Sequence, residues 1–107
     1  MADRHNCPCS SSCELEKALN KIGGKWKMRI ICSLMANGDQ RYNELLKNIA
    51  PISNTMLTKT LNELADDHLI ERTVYPEVPV RVEYSLSEKS RRLAPILQGL
   101  IRWSMTE

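Results

Sequence analysis

The stretch Gln40–Leu86, QRYNELLKNIAPISNTMLTKTLNELADDHLIERTVYPEVPVRVEYSL, decides the fold of this 107-residue chain. Within it Tyr42, Leu45, Leu46 and Ile49 recur at spacings of three and four, which puts them on one face of a short helix between Gln40 and Ala50. Pro51 forbids simple continuation, because it lacks a backbone N–H and disfavours helical geometry at the residue before it. Ser53 can restart a helix by accepting from the free N–H groups of the first turn, and Leu57, Leu61 and Leu64 then mark its buried side. The two helices are expected about four residues apart.

Beyond the second helix, Glu71-Arg72-Thr73-Val74-Tyr75 has strand character, being β-branched and aromatic. Pro76-Glu77-Val78-Pro79 breaks it, and Val80, Val82 and Tyr84 alternate with Arg81 and Glu83, as in a return strand with one buried face. Short helix, turn, second helix and proline-tipped ribbon together outline a winged helix-turn-helix, a module that usually lays its second helix in the major groove of DNA.

The charges fit that outline. Asn54, Thr55, Thr58, Lys59 and Asn62 fall largely off the leucine stripe, leaving a polar face able to meet base edges. Between Gln40 and Glu63 the only carboxylate is Glu44, whereas Glu63, Asp66 and Asp67 crowd the end of the second helix. The helix dipole would favour the reverse, so an acid-free start suits a phosphate-facing N-terminus. A solvated surface face is the alternative. Arg81, near the hairpin tip, can reach a minor groove or phosphate, or can pair at the surface with Glu77 or Glu83.

Upstream, Gly23-Gly24-Lys25-Trp26-Lys27 separates two further helices. The first, from about Cys13 to Ile22, carries Leu15, Ala18, Leu19 and Ile22 on one side; the second runs from Trp26 through Ile30, Ile31 and Leu34 to Asn37-Gly38. Lys17, Lys21, Lys25, Lys27, Arg29 and Arg41 face only Asp39 across this region, a surplus hidden by the whole-chain charge of +2. Lys25 at a helix start is unfavourable unless an anion lies near, which makes a phosphate contact reasonable. Trp26 reads as core, and Cys32 as a small buried hydrophobe.

These pieces together resemble one family. Ile22-Gly23-Gly24-Lys25-Trp26, Arg41-Tyr42-Asn43-Glu44-Leu45, Ile52-Ser53 with Met56-Leu57, Leu61-Asn62-Glu63-Leu64 and the run Val78–Ser87 look like an HxlR-type winged helix-turn-helix transcription regulator, a MarR-like group. The resemblance covers about residues 13–103. It departs at Asp67-His68, where the family often has an acid or polar residue then glycine, and at Thr55, where a basic residue is frequent. The resemblance implies a homodimer on a pseudo-palindromic operator, with double-stranded DNA as partner and no cofactor. The DNA-binding residues expected are Lys25, Lys27, Arg41, Ser53, Asn54, Thr55, Thr58, Lys59 and Arg81.

A last helix capped by Ser87 carries Leu93, Ile96, Leu97, Leu100, Ile101 and Trp103, more apolar surface than one small wing needs to cover. Leu15, Leu19, Leu97, Leu100, Ile101 and Trp103 are the expected dimer contacts across a two-fold axis. Pro95 should kink or divide that helix at about Ala94. The expected architecture is α+β but mostly α: a winged helix-turn-helix domain over 13–107, with an added N-terminal helix and a C-terminal dimerisation helix, preceded by a disordered cysteine-containing tail over 1–12.

Cys7, Cys9 and Cys13 place three thiols within seven residues. No apolar run is long enough to cross a membrane and no leader is evident, so a cytoplasmic location is expected, where thiols stay reduced. Three readings stay open. Cys13 at a helix start could be a reactive thiol, with Cys9 as partner, since the dipole lowers a thiol's pKa and some HxlR-type regulators sense oxidants or electrophiles through a cysteine at about this place. The thiols with His5 could hold a metal, although the spacing does not match structural zinc knuckles, and no metal site is assigned. Or the tail has no role. No nucleophile sits beside a recognisable base and no glycine-rich phosphate loop occurs, so the sequence does not read as an enzyme. A winged helix that binds protein instead of DNA is the other functional class, and it would have little need of the basic lining. The operator, the sign of regulation and any small-molecule effector are not legible.

Overall fold

The computed structural model describes residues 14–106, so Cys7, Cys9 and Cys13 and the expectations attached to them lie outside the described residues. In chain order the elements are α1 (Glu14–Ile22), α2 (Lys25–Asn37), α3 (Tyr42–Asn48), α4 (Asn54–Asp66), β1 (Ile70–Tyr75), β2 (Arg81–Leu86), α5 (Glu88–Arg91) and α6 (Leu93–Met105). The core joins α2, α3, α4 and the base of the hairpin. Ile30, Ile31, Leu45, Leu57 and Leu64 are fully buried, with Leu61, Leu69, Ile70 and Leu86 around them.

The helix-turn-helix is built as its sequence requires. Arg41 precedes α3, where its backbone N–H donates to Glu44 Oε1 at 2.8 Å, satisfying one of the free donors of the first turn. Ser53 caps α4 by accepting from the Met56 N–H at 3.1 Å. Between them the chain turns through Ile49–Ser53, and Arg29 Nη2 on α2 donates to the Ala50 carbonyl at 3.3 Å.

β1 and β2 pair antiparallel from Ile70↔Leu86 to Tyr75↔Arg81. Gln40 adds a single bridge to the outer edge of β2, exchanging both backbone bonds with Tyr84. Its side chain is buried and satisfied at both ends: Nε2 donates to the Ser33 carbonyl at 3.0 Å, and Oε1 accepts from Asn48 at 2.8 Å. Gln40 therefore ties α2, α3 and the wing together, and the apolar pattern gave no sign of it.

Several expectations are corrected. Val80, placed on the buried face of the return strand, is exposed, because β2 begins only at Arg81. Cys32 is exposed, since it lies one residue past the buried Ile30-Ile31 pair on α2. Trp26 is only partly buried, packed against the core with cations on its ring. The division expected in the last helix at about Ala94 is present, at Arg92; Pro95 falls in the first turn of α6, where a missing N–H leaves no helical bond unmade.

Neither α1 nor α6 buries a residue. Leu15, Leu19, Ile96, Leu100, Ile101 and Trp103 are all exposed, Trp103 at 73%. Leu97 is half-buried.

Candidate nucleic-acid interface

α4 turns Leu57, Thr60, Leu61 and Leu64 inward, and the Thr60 hydroxyl is consumed by the Met56 carbonyl at 2.7 Å. The opposite face is left to Asn54, Thr55, Thr58, Lys59 and Asn62, all exposed and lining one shallow groove. The first turn of α4 holds no acid. Its N–H groups and dipole thus present an uncompensated positive end beside the polar face. Glu63 and Asp66 line the far end of the same groove, about 14 and about 18 Å along the axis from Asn54 at the helical rise per residue.

Tyr42, at the start of α3, counts in the sequence pattern only as an apolar-face residue, yet its hydroxyl reaches this face. It lies 2.9 Å from Asn54 Oδ1, 3.1 Å from the Asn54 carbonyl and 3.3 Å from Thr58 Oγ1. A tyrosine whose ring packs on a core usually finds a partner for its hydroxyl, and that was the available signal.

The basic residues divide into two groups. Lys25 is exposed, its ammonium 4.6 Å from the Trp26 ring centroid, with Arg29 at 5.2 Å from the same ring. Lys27 is instead a tie between helices: Nζ donates to the Asn20 carbonyl at 3.3 Å and sits 4.0 Å from Glu63, with 19% of its side chain exposed. It therefore neutralises one acid at the C-terminal end of α4, well away from Ser53 and Asn54.

In the wing, Arg81 is held from three sides. It makes a two-bond pair with Glu77, an ion pair with Glu83, and a stack on Tyr75 with the guanidinium carbon 3.8 Å from the ring centroid. The hydrogen bond from Arg81 holds Glu77 below the usual carboxylate range, and the Arg41 charge acts more weakly in the same direction. The Glu77 and Glu83 bonds reinforce the Arg81 charge in turn. The ion-pair alternative weighed from sequence is thus the arrangement present without DNA. At the tip Val78 is fully exposed beside Val80.

Structure brings Ser53, Asn54, Thr55, Thr58 and Lys59 onto one face, with Arg41 and Arg81 toward the wing; it separates Lys27 from them. Among the described residues no helix is long and apolar enough to cross a membrane.

Comparison with known proteins agrees with this geometry. The family description "HxlR-like helix-turn-helix" matches residues 21–107. An uncharacterised HTH-type transcriptional regulator of Methanothermobacter thermautotrophicus is 50% identical over 91 residues, covering 85% of this chain and 69% of that protein. The reduced form of the transcriptional regulator YodB from Bacillus subtilis superposes with a TM-score of 0.79 at 37% identity, over 85% of this chain and 88% of that one. The redox regulator HypR in its oxidised form gives 0.78 at 39% identity, over 89% and 97%.

Proposed function

Because this chain belongs to the HxlR-like helix-turn-helix family, and is therefore a DNA-binding transcriptional regulator and no enzyme, we propose that it works as a homodimer on a pseudo-palindromic operator. The observation that carries the dimer is the largely bare apolar face of α1 and α6, neither of which has a fully buried residue among the described residues. A face of this kind in a small domain calls for a partner, and a second copy related by a two-fold axis covers both faces at once. The same axis repeats α4 about 34 Å away, one turn of DNA, so that each copy reads one half-site.

In this reading Ser53, Asn54, Thr55, Thr58 and Lys59 meet the major groove, Lys25 and Arg41 meet phosphate, and Arg81 serves the wing. Lys27 contributes charge from the rear of the helix. Sedimentation equilibrium tests the dimer directly. The wild type is expected to be dimeric at micromolar concentration and Leu100→Glu monomeric; a monomeric wild type contradicts the reading.

We further propose that Cys13, with Cys9, makes the dimer responsive to oxidants or electrophiles. Two relatives that share more than a third of their residues with this chain support it, HypR being described as a redox regulator and YodB being known in a diamide-treated form. An oxidant such as diamide takes two electrons and two protons from a pair of thiols as the S–S bond forms, and a bond near α1 would alter the spacing of the two reading helices. Identical operator binding before and after diamide, in wild type and Cys13→Ser alike, would remove this part of the proposal and leave the DNA-binding function intact.

A further inference from the structure

Lys25 and Arg29 stand one turn apart on α2 and share a single ring. The Lys25 ammonium lies 4.6 Å and the Arg29 guanidinium carbon 5.2 Å from the Trp26 centroid. Like charges at this spacing repel, and Lys25 also opens the helix, where the dipole disfavours a cation. Among the described residues neither cation has a carboxylate partner, and the first turn of α2 holds no acid. Trp26 is half-buried against the core, so its ring is a fixed platform whose negative face offsets part of the repulsion. Two cations gathered without an acid make a spot that attracts an anion.

Arg29 gives that charge a fixed position. It is half-buried, and Nη2 donates to the Ala50 carbonyl at 3.3 Å. Ala50 lies in the α3–α4 turn shortly before the Ser53 cap, so the guanidinium is pinned beside the acid-free start of α4. One bond to a neutral oxygen uses one of its five N–H donors and none of its charge. Arg29 nevertheless stands outside the set of DNA contacts expected from the sequence.

Resting on the reading of α4 as the base-contacting helix, we propose that Arg29 is a further DNA-binding residue. With Lys25, on the Trp26 platform, it holds the phosphate backbone where a strand passes the start of α4. By bonding Ala50 at the same time it ties the α3–α4 turn, and so the start of α4, to that strand. The contact carries no sequence information of its own, because phosphates are alike at every base pair.

The test is the salt dependence of anisotropy titrations of the reduced full-length protein, on random duplex DNA and on the DNA just upstream of its own gene. Arg29→Gln is expected to flatten the slope by about one unit on both DNAs and to weaken both about fivefold at physiological salt. Arg29→Lys keeps the charge and should keep the wild-type slope. A residue that only braced Ala50 would change the melting temperature and leave the slope alone. Should Arg29→Gln fold poorly, the wild type itself gives the answer by NMR. Its Arg29 Nε–H signal, assigned by its loss in Arg29→Lys, should shift on adding random duplex and return as salt is raised.

An Arg29→Gln slope equal to the wild type's overturns the inference, and so does an Arg29 signal unmoved by DNA. A loss on the upstream DNA with random DNA unaffected overturns it too, since that marks a base contact. A wild type that binds neither DNA overturns the DNA-binding reading itself, which is a different result from any of these.

Discussion

Glu77 Oε2 lies 2.8 Å from Arg81 Nη2, and Glu77 Oε1 lies 3.2 Å from Arg81 Nε, so the wing's arginine is gripped by a carboxylate four residues before it. A cation held in this way has three of its five N–H donors and much of its charge spent within the wing. Glu77→Gln removes an acid from the tip and leaves Arg81 paired with Glu83 alone. It is expected to raise affinity for operator and random DNA alike and to steepen the salt dependence by about one unit. An unchanged salt slope in an anisotropy titration would mean that Arg81 braces the wing and does not contact DNA.

The same pair gives a pH dependence of known sign. Its folded-state value lies below the ordinary 4.5, so the grip is complete above 4.5 and is lost only as the pH falls through the lowered value. Titration of the Glu77 carboxyl carbon by NMR should show it ionising below 4.5 in the wild type and returning toward that value in Arg81→Ala.

His68 has φ 61, the left-handed region, at the turn between α4 and β1. A side chain there costs about 1–2 kcal/mol, while glycine's extra freedom in the unfolded chain takes back about 0.5–1 kcal/mol. His68→Gly is expected to stabilise the protein by up to about 1 kcal/mol, a rise of several degrees in Tm, and His68→Val to lower it. A lower Tm for His68→Gly would contradict this.

Gln40 is buried and bonded at both ends of its amide. Gln40→Ala should destabilise by about 1–3 kcal/mol in urea unfolding, because Asn48 and the Ser33 carbonyl lose buried partners. Destabilisation below about 0.5 kcal/mol would show that these partners find water instead.

Lys25 and Lys27 should separate. Lys25→Ala is expected to weaken binding to all sequences and to flatten the salt slope by about one unit, with little change in stability. Lys27→Ala should chiefly lower stability, since it releases both the Asn20 carbonyl and Glu63. Equal salt-slope effects from the two would place both on the phosphates.

Elements and their order were legible because each rests on a local signal: leucine spacing in α4, the Ser53 cap, the Pro51 break, the β-branched ribbon. Asp67-His68 was marked as a departure at the very place where a positive φ is found. What stayed hidden depends on where side chains from distant elements meet. Nothing near Gln40 announces that Ser33, Asn48 and Tyr84 converge on it. The tyrosine at 42 behaves as an apolar residue in any periodicity, and only its hydroxyl, seen against α4, gives it a role. The basic surplus of 17–41 was visible as a sum, but the sum could not tell an exposed Lys25 from a Lys27 spent on Glu63.

In the function proposed here, a dimer distinguishes its operator from other DNA through α4. The most direct measurement is a fluorescence anisotropy titration of the reduced protein, at physiological salt, on the DNA just upstream of its own gene and on random DNA. A preference of at least about a thousandfold, with two chains per site, is expected. Weak and equal binding to both would contradict it.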